Sequence, residues 1–268
     1  MYAYACCWRL LAPATLWEIE KVGVLTSQPA AAHAATTEDF IRNLAAVNQR
    51  IAAACAAAGR EAGSVRLLPV TKTIGTERLA LAIAAGVDTL GENKVQEAHG
   101  KYEHFREDFP HLRYAIIGPL QTNKAKFVAQ FADEFHALDS LKLAETLQRR
   151  LELEDRTLEV FIQVNTSGEE SKSGILASEA AGLLASLAPL DRLTPVGLMT
   201  MAANTNDEQQ VRGNFASLRQ TLEQLQQNAP QGFEQLSMGM SGDYELAIAE
   251  GATVVRVGQG IFGARNYA

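Results

Sequence analysis

The sequence has few cysteines, no histidine spacing typical of a metal site, no excess of positive charge and no apolar run long enough to span a membrane. Its three cysteines do not form a disulfide framework, so we expect a reducing, cytoplasmic compartment. The five histidines, His136 among them, lack the spacing of zinc ligands, and we assign them to surface and packing roles. The 24 basic and 31 acidic residues give a net charge of -7, which excludes a basic surface for nucleic acid.

The first 36 residues differ in composition from the rest of the chain. They are apolar and rich in alanine, and Arg9 lies inside the apolar region, not before it as in a signal peptide. We therefore expect residues 1–36 to be a poorly ordered extension, with a weak targeting sequence as the alternative. We expect residues 37–268 to form one domain that begins with a helix, for which Thr37 is the predicted N-cap and Gly59 the stop.

Eight apolar segments alternate with segments of helical periodicity. The predicted strands cover residues 65–72, 87–93, 113–120, 134–140, 158–167, 194–201, 233–240 and 253–260. Apolar strands that alternate with helices are typical of a parallel sheet covered by helices, which is an α/β fold. Eight such units in a chain of this length favour a closed (β/α)8 TIM barrel, and a doubly wound open sheet is the structural alternative.

Polar residues follow the predicted strands at their carboxyl ends, where a barrel carries its chemistry. They are Lys72, Asn93, Gln121, Asp139, Asn165, Thr200 and Ser241. Any one of them could be an ordinary cap or loop residue. Their repeated position at the same end of the strands is the more informative observation, and it predicts a site at that end.

Two motifs in the last third of the sequence do not carry the function that their pattern first suggests. Residues 258–263 match GxGxxG, but a dinucleotide site needs a further helix, strand and acidic residue, and the sequence ends at Ala268. Residues 239–243 are not a nucleophile elbow, because Asp243 stands where GxSxG has its second glycine.

The same glycines are suited to holding a phosphate, since barrels often bind one in the loops after strands seven and eight. Backbone N–H groups at Gly258 and Gly260 can approach phosphate oxygens, and Ser241 adds a hydroxyl donor. Arg256 shares the strand parity of Val254, so we expect it to point into the barrel, where a buried charge needs a partner. The alternatives are an ordinary glycine-rich turn and a structural ion pair between Arg256 and an acidic neighbour.

Lys72 ends the first predicted strand, and taken alone it is explained most simply by a strand end that is exposed to water. A phosphate-binding loop, an inward arginine and this lysine at one barrel mouth together suggest one ligand, pyridoxal 5'-phosphate (PLP). PLP carries a phosphate, a ring nitrogen and an aldehyde, and a lysine forms its Schiff base. A lysine near a cationic arginine and out of bulk water is more readily neutral, which favours that bond.

Six segments, in order between Thr37 and Tyr267, resemble the family of pyridoxal phosphate homeostasis proteins. They are LLPVTKT, GENKVQE, IIGPLQTNK, IQVNTSGEESKSGI, GLMTM and LSMGMSGDYELAIAEGATVVRVGQGIFGAR. The resemblance implies a monomeric barrel like the N-terminal domain of alanine racemase, which is PLP fold type III, with an extra N-terminal helix. It also implies PLP as the cofactor and PLP-dependent apo-enzymes as transient acceptors.

The resemblance further assigns roles to individual residues. It implies that Lys72 forms the Schiff base, that Arg256 faces the pyridine nitrogen and that Lys172 lies near the cofactor entrance as a secondary acceptor or relay. The other implied cofactor contacts are Asn93 and Asn165 near the ring, Met240, and Ser241, Gly258 and Gln259 at the phosphate. Three positions depart from the family: Lys94 replaces a usual tyrosine, Ala115 a usual histidine and Gln259 a common threonine.

Three functions follow from these observations. The first is a carrier that binds PLP as a Schiff base on Lys72 and buffers or delivers it without strong catalysis. The second is a PLP-dependent, racemase-like enzyme; related racemases complete their site with a second domain, which we do not expect in a sequence that ends at Ala268. The third is a barrel enzyme acting on a phosphorylated metabolite, with Lys72 as an aldolase-type base. We favour the carrier.

Overall fold

The computed structural model describes residues 34–169 and 172–263, in which parallel strands alternate with helices. The strands are β1 (Arg66–Pro69), β2 (Thr89–Glu92), β3 (Arg113–Ile116), β4 (Glu134–Leu138), β5 (Leu158–Gln163), β6 (Leu193–Met199), β7 (Gln235–Met240) and β8 (Val254–Val257). The helices are α1 (Thr37–Ala57), α2 (Thr76–Ala84), α3 (Val95–Phe105), α4 (Ala125–Phe131), α5 (Leu141–Glu154), α6 (Ala180–Leu187), α7 (Glu208–Leu225), α8 (Tyr244–Ala249) and α9 (Gln259–Phe262). Short 3-10 turns cover Ala62–Ser64, Thr122–Lys124 and Ala177–Glu179.

The sheet closes on itself into a barrel. Its strand order is β1-β8-β7-β6-β5-β4-β3-β2, with every pair parallel. The two strands at the ends of this order also meet, because Val70 forms a parallel bridge with Gly91 and the N–H of Thr71 donates to the carbonyl of Gly91 at 3.0 Å. This contact confirms the predicted (β/α)8 barrel, and the open-sheet alternative is wrong.

Each predicted strand segment overlaps an observed strand, but several strands end earlier than predicted, and β6 begins one residue earlier, at Leu193. β1 ends at Pro69, so Lys72 lies in the turn beyond it, and β5 ends at Gln163, two residues before Asn165. The apolar pattern continues past the hydrogen-bonded ladder because some of the first loop residues, such as Val164, are buried as well. The polar residues still lie at the carboxyl end of the barrel.

α1 lies outside the barrel, against α8 and α9. Its buried residues recur every three or four positions and form one face: Phe40, Asn43, Val47, Ile51 and Cys55. The amide of Asn43 donates to the carbonyl of Ile261 at 2.9 Å, and the ring of Phe40 packs edge-on against Phe262. α1 thereby covers the side of the barrel where β8 and β1 meet.

The N-cap of α1 is Thr36, and the prediction of Thr37 was wrong by one residue. The hydroxyl of Thr36 accepts from the N–H of Asp39, while the Asp39 carboxylate accepts from the N–H of Thr36, which is a complete capping box. Thr37 has an apolar residue, Phe40, at the corresponding third position and cannot form this box. Gly59, with φ of 66°, follows the helix as predicted.

Residues 1–33 of the predicted extension lie outside the described residues. Ala34 is fully buried, and its carbonyl accepts two hydrogen bonds from the Arg78 guanidinium, at 3.0 and 3.2 Å. The packed body therefore begins no later than Ala34. Among the described residues, no helix is long and apolar enough to cross a membrane.

Candidate functional site

The loops that follow β1 and β8 lie side by side at the carboxyl end of the barrel. Leu68 pairs with Arg256 in the register of these strands, and the N–H of Val70 donates to the carbonyl of Val257 at 2.9 Å. A Cβ on Gly258 would lie only 3.2 Å from the carbonyl oxygen of Val70, so glycine allows the two loops to approach closely. The loop of Lys72 and the predicted phosphate-binding loop are therefore neighbours.

Lys72 is partly buried and lies in a tight turn. The preceding residue, Thr71, is fully buried. The following residue, Thr73, has a φ of 67°, a left-handed conformation that is strained for a β-branched side chain. Such strain costs on the order of 1–3 kcal/mol and persists only where surrounding contacts hold the backbone in place.

The predicted phosphate residues after β7 and β8 contact one another. The N–H of Gly258 donates to the hydroxyl of Ser241 at 3.3 Å. Gly239 has a φ of 91°, and a Cβ there would lie 2.7 Å from the Cβ of Ala247, so the end of β7 requires glycine. The N–H of Met240 donates to Asp243 at 2.5 Å and its side chain is exposed, so contact between Met240 and a cofactor stays a prediction.

Arg256 projects into the barrel, as its strand parity predicted, and is only 3% exposed. Its guanidinium donates to the hydroxyl of Ser237 at 2.7 Å and to the carbonyl of Thr200 at 2.8 Å. Burial lowers the pKa of Arg256 to about 10, although the negative charge of Asp243 opposes this shift. Because that pKa is still well above 7, the side chain is a cation at neutral pH. No carboxylate within the described ranges forms an ion pair with it, and the structural ion pair considered as an alternative is absent there.

Behind Arg256, a chain of hydrogen bonds runs through the barrel interior. The hydroxyl of Ser237 lies 2.9 Å from His136 Nδ1, and His136 Nε2 lies 2.9 Å from the Glu134 carboxylate. The carboxylate can only accept, so Nε2 carries the proton, Nδ1 accepts from the Ser237 hydroxyl, and the Ser237 oxygen accepts from Arg256. A two-pronged pair with Arg66, at 2.7 and 2.9 Å, completes the chain beyond Glu134.

The charges along this chain are set by burial and by each other. Burial alone would raise the pKa of Glu134, but hydrogen bonds from His136 and Arg66, together with the charge of Arg66, outweigh it and lower that pKa to about 2. Burial lowers the pKa of His136, reinforced by the charges of Arg256 and Arg66 and opposed by Glu134, so the imidazole is neutral at pH 7. Arg256 therefore donates to an uncharged acceptor, the Ser237 hydroxyl, which His136 holds in a fixed orientation.

Sequence reasoning missed this chain. His136 was assigned to surface and packing roles, yet it is fully buried and bonded at both ring nitrogens. Glu134 and His136 are two residues apart on β4 and so face the same side of the strand. Glu134 and His136 are two polar residues on one face of an otherwise apolar strand, and this pattern could have predicted a buried polar pair.

Asn165 organises its own loop. Its side-chain amide donates to the carbonyls of Glu169 and Lys172, at 2.9 and 3.4 Å, and its oxygen accepts from the N–H and hydroxyl of Ser167. A role for Asn165 at a cofactor ring stays a prediction. Lys172 Nζ donates to the carbonyl of Ala202 at 2.7 Å and pairs with Glu169 at 2.9 Å. Lys172 thus bridges the loops after β5 and β6, at the rim of the barrel.

Asn93 lies against the loop after β3. A Cβ on Gly118 would fall 2.2 Å from the backbone oxygen and 2.5 Å from the side-chain oxygen of Asn93, so glycine is required there. Asn93, Lys94, Gln121 and Lys124 border an open cavity of about 460 Å³. Two other predicted strand-end residues remain. Thr200 is fully buried, and its carbonyl accepts from the Arg256 guanidinium. Asp139 is a carboxyl whose pKa is raised by burial.

Comparison with known proteins identifies the family. Residues 42–266 match the family described as alanine racemase, N-terminal domain. A pyridoxal phosphate homeostasis protein from Vibrio alginolyticus is 42% identical over 211 residues, which cover 78% of this chain and 90% of that protein.

Solved structures agree with this assignment. A crystal structure of an unknown protein from Bifidobacterium adolescentis superposes with a TM-score of 0.80 at 39% identity, covering 88% of this chain and 100% of that one. PipY of Synechococcus elongatus, solved with PLP bound, gives a TM-score of 0.73 at 33% identity, with 84% and 100% coverage. The chain therefore belongs to the family of pyridoxal phosphate homeostasis proteins, built on a barrel of the alanine racemase N-terminal-domain type.

Proposed function

We propose that this chain binds PLP, holds it through a Schiff base on Lys72, and stores and delivers it as part of PLP homeostasis. The observation that carries the proposal is Arg256, a buried guanidinium whose two hydrogen-bond partners, Ser237 and Thr200, are both uncharged. A desolvated cation held in this way favours a ligand that presents an acceptor to it. The relative PipY, solved with PLP bound, supports PLP as that ligand.

The residues at the barrel mouth fit the three functional groups of PLP. Arg256 donates to the lone pair of a pyridine nitrogen, while Ser241, Gly258 and Gln259 supply hydroxyl and backbone donors for the phosphate. Lys72 would supply the amine for a Schiff base with the aldehyde carbon, and the aldehyde oxygen would leave as water. Asn93, Asn165, Met240 and Lys172 surround this core of the proposed site.

The cation at Arg256 supports a carrier, because it makes any catalysis depend on well-placed bases, although related racemases tolerate such an arginine. PLP supplies an electron sink when its pyridine nitrogen is protonated, which a facing carboxylate promotes. Arg256 is positively charged at neutral pH and can only donate, so it opposes that protonation. We propose that the chain works as a cytoplasmic monomer and passes PLP to PLP-dependent apo-enzymes, with negligible racemisation of its own.

Two measurements test this proposal. The purified protein, loaded with PLP and freed of excess by gel filtration, should show a visible absorption band that borohydride removes. Lys72→Arg should lack the band, and the matched control Lys94→Arg should keep it. An unchanged band in Lys72→Arg would contradict the attachment.

The carrier role is tested separately by incubating the PLP-loaded protein with L-alanine in deuterium oxide and following the α-proton. We expect no exchange above that caused by free PLP. Steady exchange at an enzyme-like rate, lost in Lys72→Arg, would instead establish the racemase-like alternative.

A further inference from the structure

Lys101 lies under the turn that carries Lys72, in a buried cluster of charges. It is on α3 and only 5% exposed. Its ammonium group donates to the carboxylate of Glu92 at 2.6 Å, to that of Glu97 at 2.8 Å and to the carbonyl of Thr71 at 2.8 Å. These three bonds use all three of its donors, so Lys101 is fully occupied in joining α3, the end of β2 and the Lys72 turn.

The two carboxylates that Lys101 bridges hold the residues on either side of Lys72. The hydroxyl of Thr71 donates to Glu92, and the N–H of Thr73 donates to Glu97 at 2.5 Å. Thr73 is the residue with the strained, left-handed backbone. The cluster therefore acts on both flanks of Lys72, including the position that most needs an external contact to keep its conformation.

Glu92 depends on this arrangement. It is fully buried, and its second oxygen, Oε2, has no hydrogen-bond partner among the described residues. Burial raises the pKa of Glu92, and the charge of Lys101 is the main opposing influence. Without Lys101, Glu92 would keep only the Thr71 hydroxyl, and the carboxylate would no longer be fixed beneath the turn.

We infer that Lys101 is a positioning residue for Lys72: by bridging Glu92 and Glu97 it fixes the turn from which the Lys72 amine meets the aldehyde. This inference rests on the proposed function. A small misplacement of a reacting group lowers the rate of bond formation strongly, whereas binding of the remainder of the ligand is unaffected. Lys101 should therefore control the rate of attachment and leave the phosphate and ring contacts intact.

The test compares two ligands in Lys101→Met, in which a side chain of similar length lacks the charge. The rate at which added PLP becomes fixed to Lys72 by borohydride should fall about tenfold or more. Affinity for pyridoxine 5'-phosphate, which has an alcohol in place of the aldehyde, should stay at the wild-type value. Lys101→Arg should restore part of the rate. Arg192→Met, which breaks the pair with Asp155 before the amino ends of β6 and β5, should leave both quantities unchanged.

Glu97→Ala provides a second test if Lys101→Met does not fold, because Glu97 is partly exposed and Lys101 retains Glu92 as a partner. A slowed attachment with unchanged affinity for pyridoxine 5'-phosphate supports the inference. A wild-type rate, or an equal loss of rate and affinity, overturns it. Wild-type protein that fixes no PLP on Lys72 would instead overturn the proposed function itself.

Discussion

Among single residues, Arg256 is central to the proposal that this chain binds PLP without strong catalysis. Its guanidinium donates to Ser237 and Thr200, and although burial lowers its pKa to about 10, it is still a cation at neutral pH. Arg256→Glu places a carboxylate beside the Thr200 carbonyl, removes the donors and should weaken PLP retention by about tenfold or more. Arg256→Gln keeps two donors and should lie between wild type and Arg256→Glu. PLP remaining after dialysis measures the effect, and wild-type retention by Arg256→Glu would contradict the assignment.

His136 and Ser237 should behave as one unit. Each of His136→Gln and Ser237→Ala breaks the chain between Arg256 and Glu134 and should cost about 1–3 kcal/mol of unfolding free energy. Since either change already breaks the chain, the double variant should be more stable than additivity predicts, by about 1 kcal/mol. Urea unfolding of the four proteins gives this coupling energy. Strict additivity would show that the two residues act independently.

For single residues, the sequence predicted where a side chain points better than which partner it bonds to. The inward orientation of Arg256 was predicted from strand parity, and the burial of its side chain confirms it. The Ser237–His136 bond joins residues 101 positions apart on β7 and β4, across the barrel interior. No local spacing encodes such a contact, because it depends on where two strands lie in the closed sheet.

Among the elements, α1 shows how a small error in the sequence reading arises. Two adjacent threonines both suit an N-cap, and only the residue three positions later distinguishes them. Thr36 has Asp39 at that position, and the observed capping box uses it. The predicted strand ends differ from the observed ones for another reason. Buried loop residues such as Val164 extend the apolar pattern beyond the hydrogen-bonded ladder.

The capping box should make α1 sensitive to acid. Hydrogen bonds from the backbone of Ala35 and from Arg42 lower the pKa of Asp39 from 3.8 to about 2. A carboxyl whose folded pKa is depressed stabilises the protein above its unfolded pKa, and this stability is lost as the pH falls toward the folded value.

Asp39→Asn should therefore lower the melting temperature by about 1–3 °C at pH 7. The difference from wild type should narrow as the pH falls from about 4 toward about 2. Melting curves over this range test it, with Glu38→Gln as the control because Glu38 is also in the first turn but outside the box. A difference that stays constant with pH would contradict the role of Asp39.

For the molecule as a whole, the closed barrel was predictable from the sequence, but the residues that close it were not. Eight alternating apolar segments indicate eight βα units, and each segment overlaps an observed strand. Whether such a sheet closes depends on whether its first two strands meet, and that contact consists of the Val70–Gly91 bridge and one Thr71 hydrogen bond. Valine, glycine and threonine are too common in a sequence for these three positions to predict that contact.

The boundary of the packed body yields a prediction for truncation. Deleting residues 1–33 should change the melting temperature and PLP binding little. Deleting residues 1–36 also removes the Thr36 cap and the Ala34 carbonyl that binds Arg78, at a cost of about 2 kcal/mol or more. This should lower the melting temperature by several degrees. A large fall for the shorter deletion would show that residues before Ala34 stabilise the domain.

The central claim is that PLP is held by Lys72 at the mouth of this barrel. The most direct measurement is borohydride reduction of the PLP-loaded wild-type protein, followed by proteolysis and mass spectrometry of the labelled peptide. We predict that the label lies on Lys72, at close to one per chain, because its turn adjoins the loop of Gly258 and the strand of Arg256. A label found mainly on Lys94, Lys124 or Lys172 would contradict the account.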